Sequence, residues 1–282
     1  MHSIYYNSCS RFADEVLNMK KRDYILSRLI EEYIKRPEPV SSKRLRAVLD
    51  MDLSSATIRY YFKQLTQMGE LEKTHVSSGR VPTESSLRQF WAQRLPKEYE
   101  AEIDETERLM ELAKRMQIFC EFYTLYDYEL SAIERYKDFL ICSFEGKEFV
   151  TVYNKNLERF LRKQIGCKAF DLAQNCYDIG LVAFAKSLKR FLFNHFELYE
   201  IKEVVRISQE DSVWAESWLP RYIDGSALLE QKSGVRFYKG ALHYKFRIKK
   251  PGESLKGEMI LLGKIYRDFE GFLHNMKGVD HE

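Results

Sequence analysis

The sequence predicts an α+β chain: three helices and a small hairpin, the order of a winged helix-turn-helix, followed by a larger mixed domain. Three observations predict it. Apolar residues in the first third recur at helical spacing behind serine caps, a Ser-Ser-Gly turn joins two short extended pieces, and later strand-like runs alternate with helical ones. At 282 residues, 45% hydrophobic and 14% aromatic, the chain has enough apolar surface for two cores. No apolar run reaches the about 18 residues of a membrane-spanning helix. The opening MHSIYYNSCSRFADEVLN lacks the basic start and apolar stretch of a secretory signal, so a cytoplasmic protein is expected.

The first helix is predicted over 21–35, where Ile25, Leu29, Ile30, Tyr33 and Ile34 share a face; Pro37 and Pro39 stop it. Ser41 or Ser42 caps a second helix running to about Asp50, with Leu45, Val48 and Leu49 inward and Lys43, Arg44 and Arg46 mostly outward. Ser54 or Ser55 caps a third, in which Ile58, Phe62, Leu65 and Met68 form the buried stripe and Gly69 ends the helix. Leu71 to Val76 and Arg80 to Pro82 form a hairpin around Ser77-Ser78-Gly79. From Thr83 a fourth helix carries Leu87, Phe90, Trp91 and Leu95 to Pro96, and Glu98 to Phe122 reads as a charged linking helix.

Beyond it, Phe139 to Ser143 and Phe149 to Tyr153 read as a hairpin about Glu145-Gly146. Val235 to Tyr238, Leu242 to Ile248 and Glu258 to Leu262 read as strands, and Leu157 to Leu161, Asp178 to Phe193 and Ile265 to Met276 as helices. The expected organisation is an extension over 1–18, a DNA-binding domain over 19–96, a linker helix over 97–122 and a second domain over 123–282.

The overall charge of +3 divides unevenly. Met19 to Leu95 holds 15 Lys and Arg against 9 Asp and Glu, a balance of +6, whereas Pro96 to Glu282 holds 29 against 31, a balance of −2. A basic excess confined to the first third suits a part that alone meets a polyanion. A helix entering the major groove presents short polar side chains at its N-terminal half. Ser54, Ser55, Thr57, Arg59 and Tyr60 are therefore the candidate base readers, with Arg59 able to fork onto guanine. Ser42, Lys43, Arg44, Lys63, Lys73, His75, Ser77, Gly79 and Arg80 are the candidate backbone contacts, and Arg80 behind Gly79 is expected to bring the wing close to a narrow groove.

The same stretch resembles the HrcA family of bacterial heat-shock repressors. The shared residues are Ile30-Glu31-Glu32-Tyr33-Ile34, Glu38-Pro39-Val40 with Ser42-Lys43, Leu53-Ser54 with Ala56-Thr57-Ile58-Arg59, and Gly69, Leu71-Glu72-Lys73, His75, Ser77, Gly79-Arg80 and Pro82-Thr83. The match is dense from about Tyr24 to Arg88 and weaker near Gly257 to Tyr266, GEMILLGKIY. Ser41 stands where the family usually has Gly, and Tyr60 and Phe62 where it has Asn and Met; Tyr60 is the departure that bears on base preference. The resemblance implies a winged helix joined to a GAF-like domain with a reduced dimerising insertion. It implies a homodimer on an inverted-repeat operator of the CIRCE type ahead of chaperone operons, with activity modulated by the GroE chaperonin. Family members begin near the first helix, so residues 1–18 are expected to be disordered or a mis-annotated start.

Other functions have weaker signals. Five cysteines (Cys9, Cys120, Cys142, Cys167, Cys176) lie scattered without C-x-x-C spacing, so no disulfide framework, metal site or cofactor is expected. Asp211 and Glu216 near Trp214 and Trp218 lack an accompanying nucleophile or phosphate loop, and no enzyme is expected. Gly180 to Phe196 is amphipathic, with Leu181, Phe184, Ala185, Leu188 and Leu192 opposite Lys186, Lys189 and Arg190; core or dimer interface is favoured over a membrane surface. The aromatic run Phe119, Phe122, Tyr123, Tyr126 and Tyr128 reads as packing before it reads as a ligand pocket. The alternatives to a heat-shock repressor are a metabolite-responsive winged-helix regulator and a winged-helix protein-interaction module that never touches DNA.

Overall fold

The computed structural model describes residues 21–73, 79–103, 106–250, 252 and 255–276. They form two compact units: one takes the chain up to Leu95 together with Lys264–Asp268, and the other takes Pro96–Gly263 with the segment from Phe269 onward. The expected extension over 1–18, with His75 and Ser77, lies outside the described residues.

In the first unit, α1 is helical over 21–35, followed by α2 (Ser42–Arg46), α3 (Ser55–Gln67), β1 (Leu71–Lys73), β2 (Arg80–Pro82) and α4 (Glu84–Arg94). Its core is the stripe predicted by helical spacing: Ile25 and Leu29 of α1, Leu45 of α2 and Ile58, Phe62 and Leu65 of α3 are buried together with Val40 and Leu71. Met68, expected in that stripe, is 53% exposed because it is the C-cap, where the chain leaves the helical path. Gly69 at φ 75 then allows a Schellman turn, in which its own N–H donates to the Thr66 carbonyl and that of Glu70 to the Leu65 carbonyl. The second helix stops at Arg46 and does not reach Asp50. β1 and β2 pair antiparallel, Leu71 with Pro82 and Lys73 with Arg80. The Trp91 indole N–H donates to the Ile265 carbonyl at 2.7 Å, and Tyr33 meets Tyr266 edge to face, so the short 264–268 segment completes this unit.

The second unit is built on a six-stranded sheet. β3 (Glu100–Glu102), β10 (Ala241–Lys249), β11 (Leu255–Lys264), β4 (Phe119–Tyr126) and β8 (Phe193–Tyr199) lie in that order, and β9 (Gly234–Tyr238) pairs with β10. A separate antiparallel meander comprises β5 (Leu130–Tyr136), β6 (Phe139–Phe144) and β7 (Lys147–Val152), with Gly146 at φ 82 in its second turn. Helices α5 (Thr106–Met116), α6 (Lys155–Arg162), α7 (Ala169–Asp178), α8 (Val182–Leu192), α9 (Ile201–Ser208), α10 (Ser212–Ile223), α11 (Ser226–Glu230) and α12 (Phe269–Met276) complete it. The architecture is mixed α+β.

Several expectations for this part need correction, and the helix expected from Ile265 begins only at Phe269. The supposed linking helix over 97–122 is a short strand, an eleven-residue helix and the start of β4. In β4 every residue but Tyr126 is buried, so FCEFYTLY shows the continuous apolar pattern of a strand covered on both faces and not an alternating one. Gly257 in β11 has a positional reason: a Cβ there would lie 1.9 Å from the Tyr123 carbonyl oxygen of the paired strand. The helix expected over 178–193 is two helices meeting at Gly180 (φ 85), and the Phe184, Ala185, Leu188 and Leu192 face is buried in the core of the unit. Lys189, expected opposite that face, is itself buried.

Candidate nucleic-acid interface

Of the two serines the sequence offers as a cap for the third helix, the structure takes Ser54. The Ser54 hydroxyl accepts the Thr57 backbone N–H at 3.1 Å and lies 2.9 Å from the Thr57 hydroxyl, so both short side chains hold the helix start. With Ile58, Tyr61, Phe62 and Leu65 facing the core, the helical period turns Ala56, Arg59, Tyr60, Lys63 and Gln67 to solvent. Tyr60 is 59% exposed, and its hydroxyl accepts the Gln64 side-chain amide at 2.8 Å, which fixes the ring along the helix. Ser55 at the first turn is partly exposed.

The basic residues separate into two groups according to their partners. Arg44 is directed inward: its Nη2 donates to the Glu32 carbonyl at 2.6 Å and its Nε lies 3.5 Å from the Glu32 carboxylate. Arg46 stands 3.8 Å from Asp52, and Arg28 pairs with Glu31. By contrast, Lys43, Arg59, Lys63 and Lys73 are exposed and have no carboxylate partner among the described residues. Unpaired cations keep their full charge available to an approaching polyanion, whereas a paired one must first give up its carboxylate. Ser42 is partly exposed at the first turn of α2, which Ser41 caps through the Arg44 N–H.

Arg80 stands differently from its expected place. It sits in β2, half-buried, with Nε donating to the Thr66 hydroxyl at 3.2 Å and Nη1 to the Gly79 carbonyl at 3.1 Å. Its backbone exchanges two hydrogen bonds with Val40, at 2.8 and 3.0 Å, so the strand is also tied to the α1–α2 connection. Gly79 is buried, not held open for a duplex: a Cβ there would lie 2.7 Å from the Pro39 Cβ. Sequence reasoning missed Thr66 and Glu32, the residues that orient these two arginines, because neither pairing has a periodic signature.

The other candidate sites resolve into structure. Phe119, Phe122 and Tyr123 are fully buried core residues, and no member of the aromatic run lines the cavity bounded by Lys189, Lys245 and Glu258. Asp211 caps α10 by accepting the Trp214 N–H at 3.0 Å. Among the described residues no group of three or more His, Cys, Asp or Glu is placed to hold a metal, and no helix is long and apolar enough to cross a membrane.

Residues 91–280 match the family model described as the HrcA C-terminal domain. The chain belongs to the HrcA family. A heat-inducible transcription repressor HrcA from Helicobacter pylori (strain J99) is 27% identical over 274 residues, covering 92% of this chain and 95% of that protein. The HrcA repressor of Natranaerobius thermophilus is 49% identical over 74 residues, 26% of this chain and 21% of its own. The short matched segment is thus more alike than the nearly full-length alignment to the Helicobacter protein. A solved structure of a hypothetical protein overlays with a TM-score of 0.44 at 19% identity, covering 91% of this chain and 97% of that one.

Proposed function

We propose that this HrcA-family chain is a dimeric transcriptional repressor of heat-shock chaperone operons that binds an inverted-repeat, CIRCE-type operator. The observation that carries the reading is the outward face of α3, where Arg59, Tyr60 and Lys63 stand exposed on a helix whose start is fixed by Ser54. In this reading the first unit is a winged helix. α3 enters the major groove, Thr57, Arg59 and Tyr60 read bases, and Lys43, Lys63 and Lys73 meet phosphates. Ser54 acts through the helix start, and Arg44 braces α2 against α1.

The second unit is the GAF-like domain, and the meander is its reduced dimerising insertion. On one face of the meander Phe139 pairs across strands with Tyr136 and Val152, while Ile141 pairs with Val150. Tyr136, Phe139, Val150 and Val152 are exposed by 62, 47, 54 and 68%. An apolar patch of this kind on a sheet face suits a second copy of the chain, and a two-fold protein suits a palindromic site.

Footprinting of purified protein on a chaperone promoter, with and without the GroE chaperonin, tests the reading. A protected inverted repeat that strengthens with chaperonin is expected. Protection indifferent to chaperonin would remove the modulation, and absence of protection would remove the repressor.

A further inference from the structure

The second unit holds a cavity of about 490 Å³, within the range of small-molecule sites. At its buried end stand Lys189, Lys245 and Glu258, and beside them the half-buried Arg247. One Glu258 oxygen accepts three donors: the Lys189 ammonium at 2.8 Å, the Lys245 ammonium at 3.1 Å and the Tyr123 hydroxyl at 2.5 Å. Burial by itself raises the Glu258 carboxyl, but the two ammoniums outweigh it and hold it at about 2. For Lys245 burial is the largest influence and draws it down to about 8, still protonated at neutral pH.

The three cations differ in what they have left to offer. Lys245 is saturated, since it also donates to the Leu228 and Gln231 carbonyls. Lys189 makes one bond, to Glu258, and leaves the rest of its ammonium to the ring faces of Phe170 and Tyr123. Arg247 has no carboxylate or hydrogen-bond partner for its guanidinium among the described residues and lies over Phe170, 5.1 Å from the ring centroid. The same Phe170 ring is 5.7 Å from the Lys189 ammonium, so two incompletely partnered cations converge on one side chain. Two buried ammoniums and the half-buried Arg247 against one buried carboxylate leave an excess of positive charge, which is costly unless an anion answers it. The exposed Glu98, Glu100 and Asp178 at the rim are screened by solvent, and Glu100 is already 3.2 Å from Lys249.

We infer that this cavity binds a small metabolite bearing one oxyanion group, carboxylate or phosphate, which Arg247 and Lys189 receive at the buried end. Tyr99 and Tyr177 on the walls flank the rest of the molecule. The site lies wholly within the second unit and does not depend on operator binding, so failure of either reading leaves the other standing.

Calorimetric titration of the full chain with butyrate and, separately, with inorganic phosphate tests this, with sodium chloride at matched ionic strength as control. Saturable binding of at least one probe is expected, weakened roughly tenfold or more by Arg247→Gln and restored in part by Arg247→Lys. Which probe binds separates a carboxylate metabolite from a phosphorylated one. Arg247→Gln gives up the stacking on Phe170, and the thermal midpoint of the unliganded variant reports whether it folds. No saturable heat with either probe, equal heat with chloride, or undiminished binding by a folded Arg247→Gln protein would each overturn the site.

Discussion

Arg59 and Arg80 both carry full positive charge, yet their surroundings assign them different work. Arg59 projects from α3 with no internal partner among the described residues, whereas the Arg80 guanidinium is anchored to Thr66 and the Gly79 carbonyl. Arg59→Ala is expected to cost about 1–3 kcal/mol on the operator and much less on random DNA, measured by titration at fixed salt. Equal losses on both would make Arg59 a phosphate contact. Arg80→Ala loses two hydrogen bonds and lowers the thermal midpoint; if the remaining guanidinium face also meets phosphate, affinity falls on all DNA and the salt slope drops by about one. A folded Arg80→Ala protein with unchanged salt slope would restrict Arg80 to bracing the strand. At the neighbouring position, Gly79→Ala sets a Cβ 2.7 Å from Pro39, a contact requiring backbone movement. Its thermal midpoint should fall with binding per folded molecule preserved; an unchanged midpoint would show that Pro39 yields freely.

Elements differ in how openly their sequences declare them. α3 is legible because its cap, its period and its Gly69 stop all act within a few residues. β4 is not, because a strand buried on both faces has no alternation and its apolar run abuts the amphipathic α5. The meander shows its turn at Glu145-Gly146 plainly, but only pairing reveals that Tyr136, Phe139 and Val152 share an outer face. That face makes a prediction. Phe139→Asp replaces an apolar side chain already half exposed, so the fold should persist while the proposed dimer dissociates in sedimentation analysis. A stable Phe139→Asp dimer would move the interface elsewhere.

For the whole molecule, two buried groups give stability an opposed pH dependence. Glu121 has both carboxyl oxygens buried without a partner among the described residues, and burial raises its pKa well above the ordinary value, against an opposing pull from Lys245. The folded state therefore retains a proton that the unfolded chain releases above about pH 4.5, and stability falls as pH rises through that range. Glu121→Gln should raise the thermal midpoint at neutral pH by an amount that shrinks toward acid. A difference independent of pH would show the carboxylate charged and satisfied. His243 is the reverse case: burial, then Arg236 and Lys245, depress its pKa, while its Nδ1 lies 2.7 Å from the Tyr222 hydroxyl. The unfolded histidine takes up a proton below about pH 6.5 and the folded one does not, so stability falls as pH drops. His243→Gln should flatten that acid limb in a midpoint-versus-pH series, and an unaltered limb would assign it to other groups.

The sequence alone determined the features that depend on neighbours along the chain: a serine cap at Ser54 or Ser55, the inward stripe Ile58, Phe62 and Leu65, the outward Arg59 and Lys63, the Gly69 stop and the basic bias of the first third. Tertiary structure alone decided which cations remain available. Arg44 answers Glu32, twelve residues before it, and Arg80 answers Thr66, fourteen before. It also decided that Gly79 makes room for Pro39, and that Lys189, Lys245, Arg247 and Glu258 gather around one cavity. Capping and helical periodicity arise from bonds a few residues long and are written in order along the chain. Ion pairing, burial and desolvation arise where distant segments meet, and no local pattern records the meeting.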